Sequence, residues 1–128
     1  MGDLRARVEE LWQRAGELGP GDVDALAVVT EAVGLLDSGE ARVAEVDADS
    51  DEVVVHTWLK WAILLLFRLR AIETVELGPF EYADKLPLKT GFAAAGVRVV
   101  PGASARWGTF LDRGVILMPS YVNIGARV

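Results

Sequence analysis

Arg98 sits inside the apolar run Val97-Arg98-Val99-Val100, immediately before the corner Pro101-Gly102. An alternating strand could point this side chain to solvent or to a neighbouring carboxylate. A guanidinium held at a junction between two structural units is also a planar, two-pronged clamp for a carboxylate ligand. His56, the single histidine, stands beside Thr57 and Trp58 where a strand gives way to a helix. Imidazole titrates near neutrality and could act as a general base. No Ser, Asp or Glu lies at a spacing that identifies a partner, which favours a hydrogen-bonded structural histidine.

The acidic run Asp47-Ala48-Asp49-Ser50-Asp51 imitates the first half of a calcium loop. It fails at the sixth position, where Glu52 replaces glycine, and at the twelfth, where Trp58 replaces the bidentate glutamate. A solvated hairpin turn is the better reading. Trp58 and Trp61 could stack on a flat ligand, but they lie three apart on a helix among leucines, which favours core packing. With no cysteine and one histidine, neither a disulfide nor an ordinary zinc site is available. No Gly-x-Gly-x-x-Gly or P-loop spacing occurs. The net charge of -6 argues against a nucleic-acid-binding face.

These residues need elements to hold them. Leu4, Val8, Leu11, Trp12, Ala15 and Leu18 recur at helical spacing, and Gly19-Pro20-Gly21 closes that helix. A second helix is expected from the N-cap Asp22, with Val23, Leu26, Ala27, Thr30, Val33 and Leu36 inward and Gly39 as C-cap. Arg42 to Val46 and Glu52 to Thr57 read as a hairpin of β-branched strands. Trp58 to Arg70 is an apolar helix, well short of the roughly 20 apolar residues of a membrane span. Ile72 to Leu77 reads as a strand, Gly78-Pro79 opens an irregular stretch, and Phe92 to Gly96 forms one helical turn.

From Ala105 the chain reads in sixes: ARWGTF, LDRGVI, LMPSYV, NIGARV. Phe110, Ile116, Val122 and Val128 close the blocks, and Met118 and Ile124 form a second apolar column. Gly114, Pro119, Ser120, Gly125 and Ala126 occupy the corners. This period predicts the left-handed parallel β-helix, whose coils bury their apolar face only by stacking. Four blocks make little more than one coil, so the array is expected to continue past Val128. The expected fold class is α+β: a mainly helical cap over residues 1–100, then the truncated first coil of a left-handed β-helix over 101–128.

Several segments together resemble one family. They are Leu36-Asp37-Ser38-Gly39 with Arg42-Val43-Ala44-Glu45, His56-Thr57-Trp58-Leu59-Lys60, Phe67-Arg68, and Asp84-Lys85 with Pro87 and Lys89. Most specific are Arg98-Val99-Val100-Pro101 and Met118-Pro119-Ser120-Tyr121-Val122-Asn123-Ile124-Gly125-Ala126. In these the chain resembles the tetrahydrodipicolinate N-succinyltransferases of the diaminopimelate route to lysine. The resemblance implies a cytoplasmic, homotrimeric acyltransferase that moves succinyl from succinyl-CoA, its co-substrate, onto the ring-opened dicarboxylate. It implies no bound cofactor, metal, membrane or nucleic acid. Arg98 then matches the arginine that grips a substrate carboxylate.

The family's acidic catalytic residues and the coils that hold the CoA arm would follow Val128, so none is matched here. Two departures stand out: a shorter stretch between Lys89 and Val97, and Gly102 in place of a second proline. Two other readings stay open. One is a non-catalytic cap or oligomerisation domain that binds a partner chain. The other is a hexapeptide acyltransferase using a different donor, such as acetyl-CoA.

Overall fold

Three apolar helices pack against one another, and their shared interior is the main core. A computed structural model describes residues 2–128. Helix α1 (Gly2–Gln13) contributes Leu4, Val8 and Leu11 to this core. Helix α2 (Val23–Ser38) and helix α3 (Thr57–Leu69) contribute the largest fully buried side chains, among them Val29, Val33, Leu59, Leu65 and Leu66. Each such side chain is worth about 1.5–3 kcal/mol of transfer free energy. No described helix is long and apolar enough to cross a membrane.

The helices depart from the sequence expectation in instructive ways. Helix α1 stops at Gln13, and a 3₁₀ turn (Ala15–Glu17) hands over to an extended Leu18 that is itself buried. Arg68 of α3 donates to the carbonyls of Leu18 (2.9 Å) and Gly16 (3.2 Å), which have no helical partner after the break. Asp22 precedes α2 but does not cap it; its Oδ2 accepts from the Gly19 N–H at 2.7 Å and closes the loop instead. The buried stripe of α2 is Ala25, Val28, Val29, Ala32, Val33 and Leu36, whereas Val23, Ala27 and Thr30 are exposed. That helix is apolar nearly all round, so periodicity alone left its inward face ambiguous.

Strands β1 (Ala44–Val46) and β2 (Val53–Val55) form the expected antiparallel hairpin. A second hairpin, β3 (Glu73–Leu77) with β4 (Phe80–Asp84), replaces the irregular stretch read after Gly78. Pro79 suggested a breaker, yet it sits in a two-residue turn where no ladder N–H is needed. Gly78 supplies the positive φ of +58° that such turns demand. One helical turn, α4 (Phe92–Ala95), follows.

The C-terminal segment then winds into a coil in the plain sense: it runs through short extended stretches and returns past each in turn, always parallel. Strand β5 (Arg98–Val99) pairs with β7 (Ile116–Leu117), and β6 (Ser104–Ala105) pairs with β8 (Tyr121–Val122). A parallel bridge joins Phe110 to Arg127. Two inward columns repeat every sixth residue: Val97, Ala103, Thr109, Val115, and Val99, Ala105, Leu111, Leu117. Val122 continues the second column one residue early, because the corner Met118-Pro119-Ser120 is one residue shorter than Val100 to Ala103. The Thr109 hydroxyl, fully buried, donates to the Arg106 carbonyl at 3.0 Å.

This corrects the phase of the hexads. Of the block-closing residues, only Val122 is in the core; Ile116 and Val128 are about half exposed, and Met118 is exposed. In a strand the middle residue points away from its two inward neighbours, which turns Phe110 and Ile116 outward despite their apolarity.

Corner glycines make the turns possible. Gly108 has φ +97°, and a Cβ there would lie 2.6 Å from Ile124 Cγ1 and 2.9 Å from Val33 Cγ1. Gly114, at φ +90°, faces open space. Gly114→Ala should therefore cost only backbone strain, about 1–2 kcal/mol. Gly108→Ala adds a steric clash worth about 1–3 kcal/mol more. Urea midpoints of the two variants check the difference; equal losses would refute the close approach of α2 to the coil.

Candidate functional site

The end of α2 fixes the coil to the helices. Gly39 adopts a left-handed φ of +82° and ends the helix, with its N–H on the Leu36 carbonyl. Just before it, Asp37 Oδ1 accepts from Lys89 Nζ at 2.8 Å and from the Gly108 N–H at 2.8 Å. Lys89 Nζ also donates to the Asp37 carbonyl at 3.1 Å. A lysine suits this helix C-terminus, where the backbone dipole is negative. One turn on, Arg127 donates to the Gly39 carbonyl at 2.9 Å and lies 4.5 Å over the Phe110 ring.

A second knot joins the coil to the β3–β4 hairpin. Arg106 grips the Asp84 carboxylate with Nε (3.2 Å) and Nη2 (3.1 Å), and its Nη1 donates to Asn123 Oδ1 at 3.2 Å. Its guanidinium also covers the Phe67 ring at 5.2 Å. Asn123 Oδ1 further accepts from the Tyr121 hydroxyl at 3.1 Å. Lys85 Nζ donates to the Phe67 carbonyl at 2.9 Å near the end of α3.

The three outward positions of the coil are thus treated differently. Phe110 and Arg127 lie against the end of α2. Ser104 and Tyr121 face the β3–β4 hairpin across a cavity of about 590 Å³. Arg98 and Ile116, paired in register, are both exposed. The Arg98 N–H bonds to the Val115 carbonyl at 3.0 Å, which fixes the backbone. Among the described residues its guanidinium has no hydrogen-bonding or ion-pair partner. What the arrangement offers is a rigidly mounted, unspent bidentate donor on an open face, suited to a carboxylate.

The other candidates resolve to structural roles. His56 Nε2 lies 3.1 Å from Glu45 Oε1, and the His56 N–H bonds to the Val43 carbonyl at 2.7 Å. The hairpin register sets Glu45 opposite Val54, which brings its carboxylate within reach of His56, eleven positions away in sequence and not recognisable from linear spacing. Trp58 is buried, and Trp61 stacks on Trp12 with centroids 5.4 Å apart and planes 5° from parallel. In the acidic loop, Asp47 Oδ1 accepts from the N–H groups of Asp49 and Ser50, both at 2.9 Å. No group of three metal-binding side chains forms among the described residues.

Sequence reading gave no role to Asp37, Lys89 or Arg106. One signal was present: a carboxylate in the last turn of a helix opposes the dipole and calls for a cation.

A family model described as "Tetrahydrodipicolinate N-succinyltransferase N-terminal" matches residues 3–69. The chain is 45% identical to a 2,3,4,5-tetrahydropyridine-2,6-dicarboxylate N-succinyltransferase of Pseudoalteromonas translucida, over 98% of this chain and 48% of that protein. It is 48% identical to the protein of that name from Aeromonas hydrophila, over 94% and 46% respectively. For the Bordetella pertussis protein the values are 46% identity, 96% and 47%. The chain spans about half the length of the curated relatives it matches.

Asp37→Ala strands Lys89, largely shielded from solvent, and the Gly108 N–H together. The expected loss is about 2–4 kcal/mol, read from a urea melt, with faster hydrogen exchange at Gly108. A change within about 0.5 kcal/mol, the range of ordinary surface substitutions, would refute the junction. For the acidic loop, the Ser50 and then the Asp49 backbone N–H groups hold the Asp47 carboxyl below its ordinary pKa. A lowered folded value means the turn is stabilised above the ordinary aspartate range, about pH 4. That contribution fades as pH falls through the lowered value. Carboxyl ¹³C shifts against pH should show Asp47 titrating below the ordinary aspartate range; a midpoint at or above that range contradicts the turn.

Proposed function

Because the chain belongs to the tetrahydrodipicolinate N-succinyltransferase family, we propose that it forms the substrate-side N-terminal part of an enzyme of that activity. The enzyme transfers succinyl from succinyl-CoA to the amino group of ring-opened tetrahydrodipicolinate, in the cytoplasmic diaminopimelate route to lysine. The observation that carries this reading is the exposed guanidinium of Arg98, without a partner among the described residues, on the coil face that neither α2 nor the hairpin covers. Its planar fork holds one carboxylate of a dicarboxylate in a fixed orientation. Anchoring of this kind contributes to acyl transfer by positioning the amine against the thioester.

We read the C-terminal segment as the first coil of a left-handed β-helix that opens at β5, just before the expected start at residue 101, and runs on through residue 128. Parallel pairing at about one coil's spacing, two inward columns of period six and glycine corners all support that reading. The open face bearing Arg98, Ile116 and Met118 supports a homotrimer in which a neighbouring subunit completes the site. No carboxylate or imidazole lies within ion-pair reach of Arg98 among the described residues. The isolated 128 residues should therefore bind substrate-side groups without turning over. The exposed apolar side chains of Ile116, Met118 and Tyr121 also favour a second reading, a non-catalytic cap that docks on a partner chain.

A chimaera tests the proposal. Residues 1–128 are joined to the remaining half of the Pseudoalteromonas translucida relative, and CoA release from succinyl-CoA is followed. Activity should appear in the chimaera and be absent from the 128 residues alone. Arg98→Ala should raise KM for the dicarboxylate by about tenfold or more, and Arg98→Lys should not restore it fully. A folded chimaera with no activity favours the docking reading; one indifferent to Arg98→Ala removes Arg98 from the site.

A further inference from the structure

The cavity on the Ser104–Tyr121 face lies on a different outward side of the coil from Arg98, which does not line it. At about 590 Å³ it falls within the range of small-molecule sites. Its walls come from three separate parts of the chain: Val75 and Tyr82 of the hairpin, Leu86 and Leu88 of the following segment, and Ser104 and Tyr121 of the coil. Val75 and Tyr82 are cross-strand partners, so the antiparallel register sets both on one face of the ribbon. That face would otherwise be an unsupported two-stranded sheet, with every residue of β3 exposed.

The polar groups at the rim sort by whether they are already used. Arg106 and Asp84 satisfy each other, and Lys85 Nζ is held by the Phe67 carbonyl. Arg70 is half-buried and spends only Nε, on the Lys85 carbonyl. Its two terminal nitrogens have no acceptor among the described residues. Glu73 is the remaining carboxylate at the rim and is exposed, outside any ion pair with Arg70. The cavity therefore combines a predominantly apolar interior with a single unspent guanidinium at its edge.

We propose that this cavity is a second ligand site, selective for a small monocarboxylate with an aromatic or branched apolar body. The carboxylate bonds to the terminal nitrogens of Arg70, and the body lies between Tyr82, Leu88 and Tyr121. The proposal does not rest on the acyltransferase reading, because neither Arg98 nor a CoA group takes part. A dicarboxylate without an apolar body has no second cation to meet here, since Lys85 and Arg106 are engaged. This makes the selectivity opposite to that expected of Arg98.

The test is a titration of the ¹⁵N-labelled 128-residue chain with 3-phenylpropanoate, its neutral analogue 3-phenylpropan-1-ol, and glutarate. The expected result is saturable shifts at the amides of Tyr82, Leu88, Ser104 and Tyr121 with 3-phenylpropanoate. Loss of the charge-assisted contact should weaken the alcohol by about tenfold, and glutarate should leave these amides unmoved. Arg70→Gln should bring the carboxylate down to the alcohol's affinity. Because Arg70 also holds the Lys85 carbonyl, a second variant, Ser104→Phe, fills the cavity from the coil side and should abolish binding with Arg70 intact. Thermal melts verify that both variants fold. The proposal is overturned if the carboxylate does not bind the wild-type chain. It is equally overturned if acid and alcohol bind alike, or if Ser104→Phe leaves binding unchanged. Shifts at these amides that follow protein concentration instead of probe would assign the face to contact between copies of the chain.

Discussion

The structure depends most on one carboxylate. Asp37 ties the last turn of α2 to Lys89, some fifty residues on, and to the backbone N–H of Gly108 in the coil. Neither the segment around Lys89 nor the first turn of the coil has a large core of its own. Their placement follows from α2, whose buried stripe is anchored among the helices. The pair is well shielded from solvent, and an ion pair in such a place gives its stability only when further hydrogen bonds satisfy both ions. The extra acceptor on Lys89 and the extra donor on Asp37 meet that condition. Gly108 adds a steric requirement, because only a residue without Cβ lets Val33 and Ile124 close over the corner.

From this anchor the coil is oriented as a body, and its outward residues divide by what covers them. Strand alternation turns one residue of each short strand outward. One pair of these, Phe110 and Arg127, is taken up by the end of α2. Another, Ser104 and Tyr121, looks toward the hairpin, which the Arg106–Asp84 pair and the Arg106–Phe67 contact hold in place. Arg98 and Ile116 are left. The same six-residue period that packs the interior therefore also selects the face on which a guanidinium stays free.

How far this was legible in the sequence depended on contrast between adjacent residues. The β1–β2 hairpin and α3 stood out because β-branched runs and a long apolar helix adjoin charged turns. Helix α2 stands out, but only part of its inward face does: Val33 and Leu36 are buried as expected and Leu26 packs on the core, while Val23 and Ala27 are exposed though as apolar as the buried residues. The hexad period was visible while its phase was not, because Phe110 and Ile116 point outward and are larger than the inward Ala105 and Thr109. Pro79 hid the second hairpin by resembling an interruption. At the site, Arg98 was conspicuous as a charge within an apolar strand. Asp37, Lys89 and Arg106 were not, because their partners are distant in sequence and each lies in a turn or helix end where charges are ordinary.

The coil carries four arginines; Arg113 lies beside Gly96 at a corner, and the contrast among the other three sharpens the functional reading. Arg106 and Arg127 each combine an aromatic face with fixed acceptors, and both connect the coil to the rest of the chain. Their forks are consumed by structure. Among the described residues Arg98 has neither ring nor acceptor, yet its backbone is fixed as firmly, between two inward valines and bonded to Val115. Holding a solvated guanidinium in this position costs the fold little, since nothing is buried by it. A carboxylate that binds there meets a donor whose backbone ordering folding has already completed, which lowers the entropic cost of binding. An arginine mounted in this way adds almost nothing to the stability of the isolated chain, and its contribution is realised only when a ligand or a neighbouring surface covers the open face.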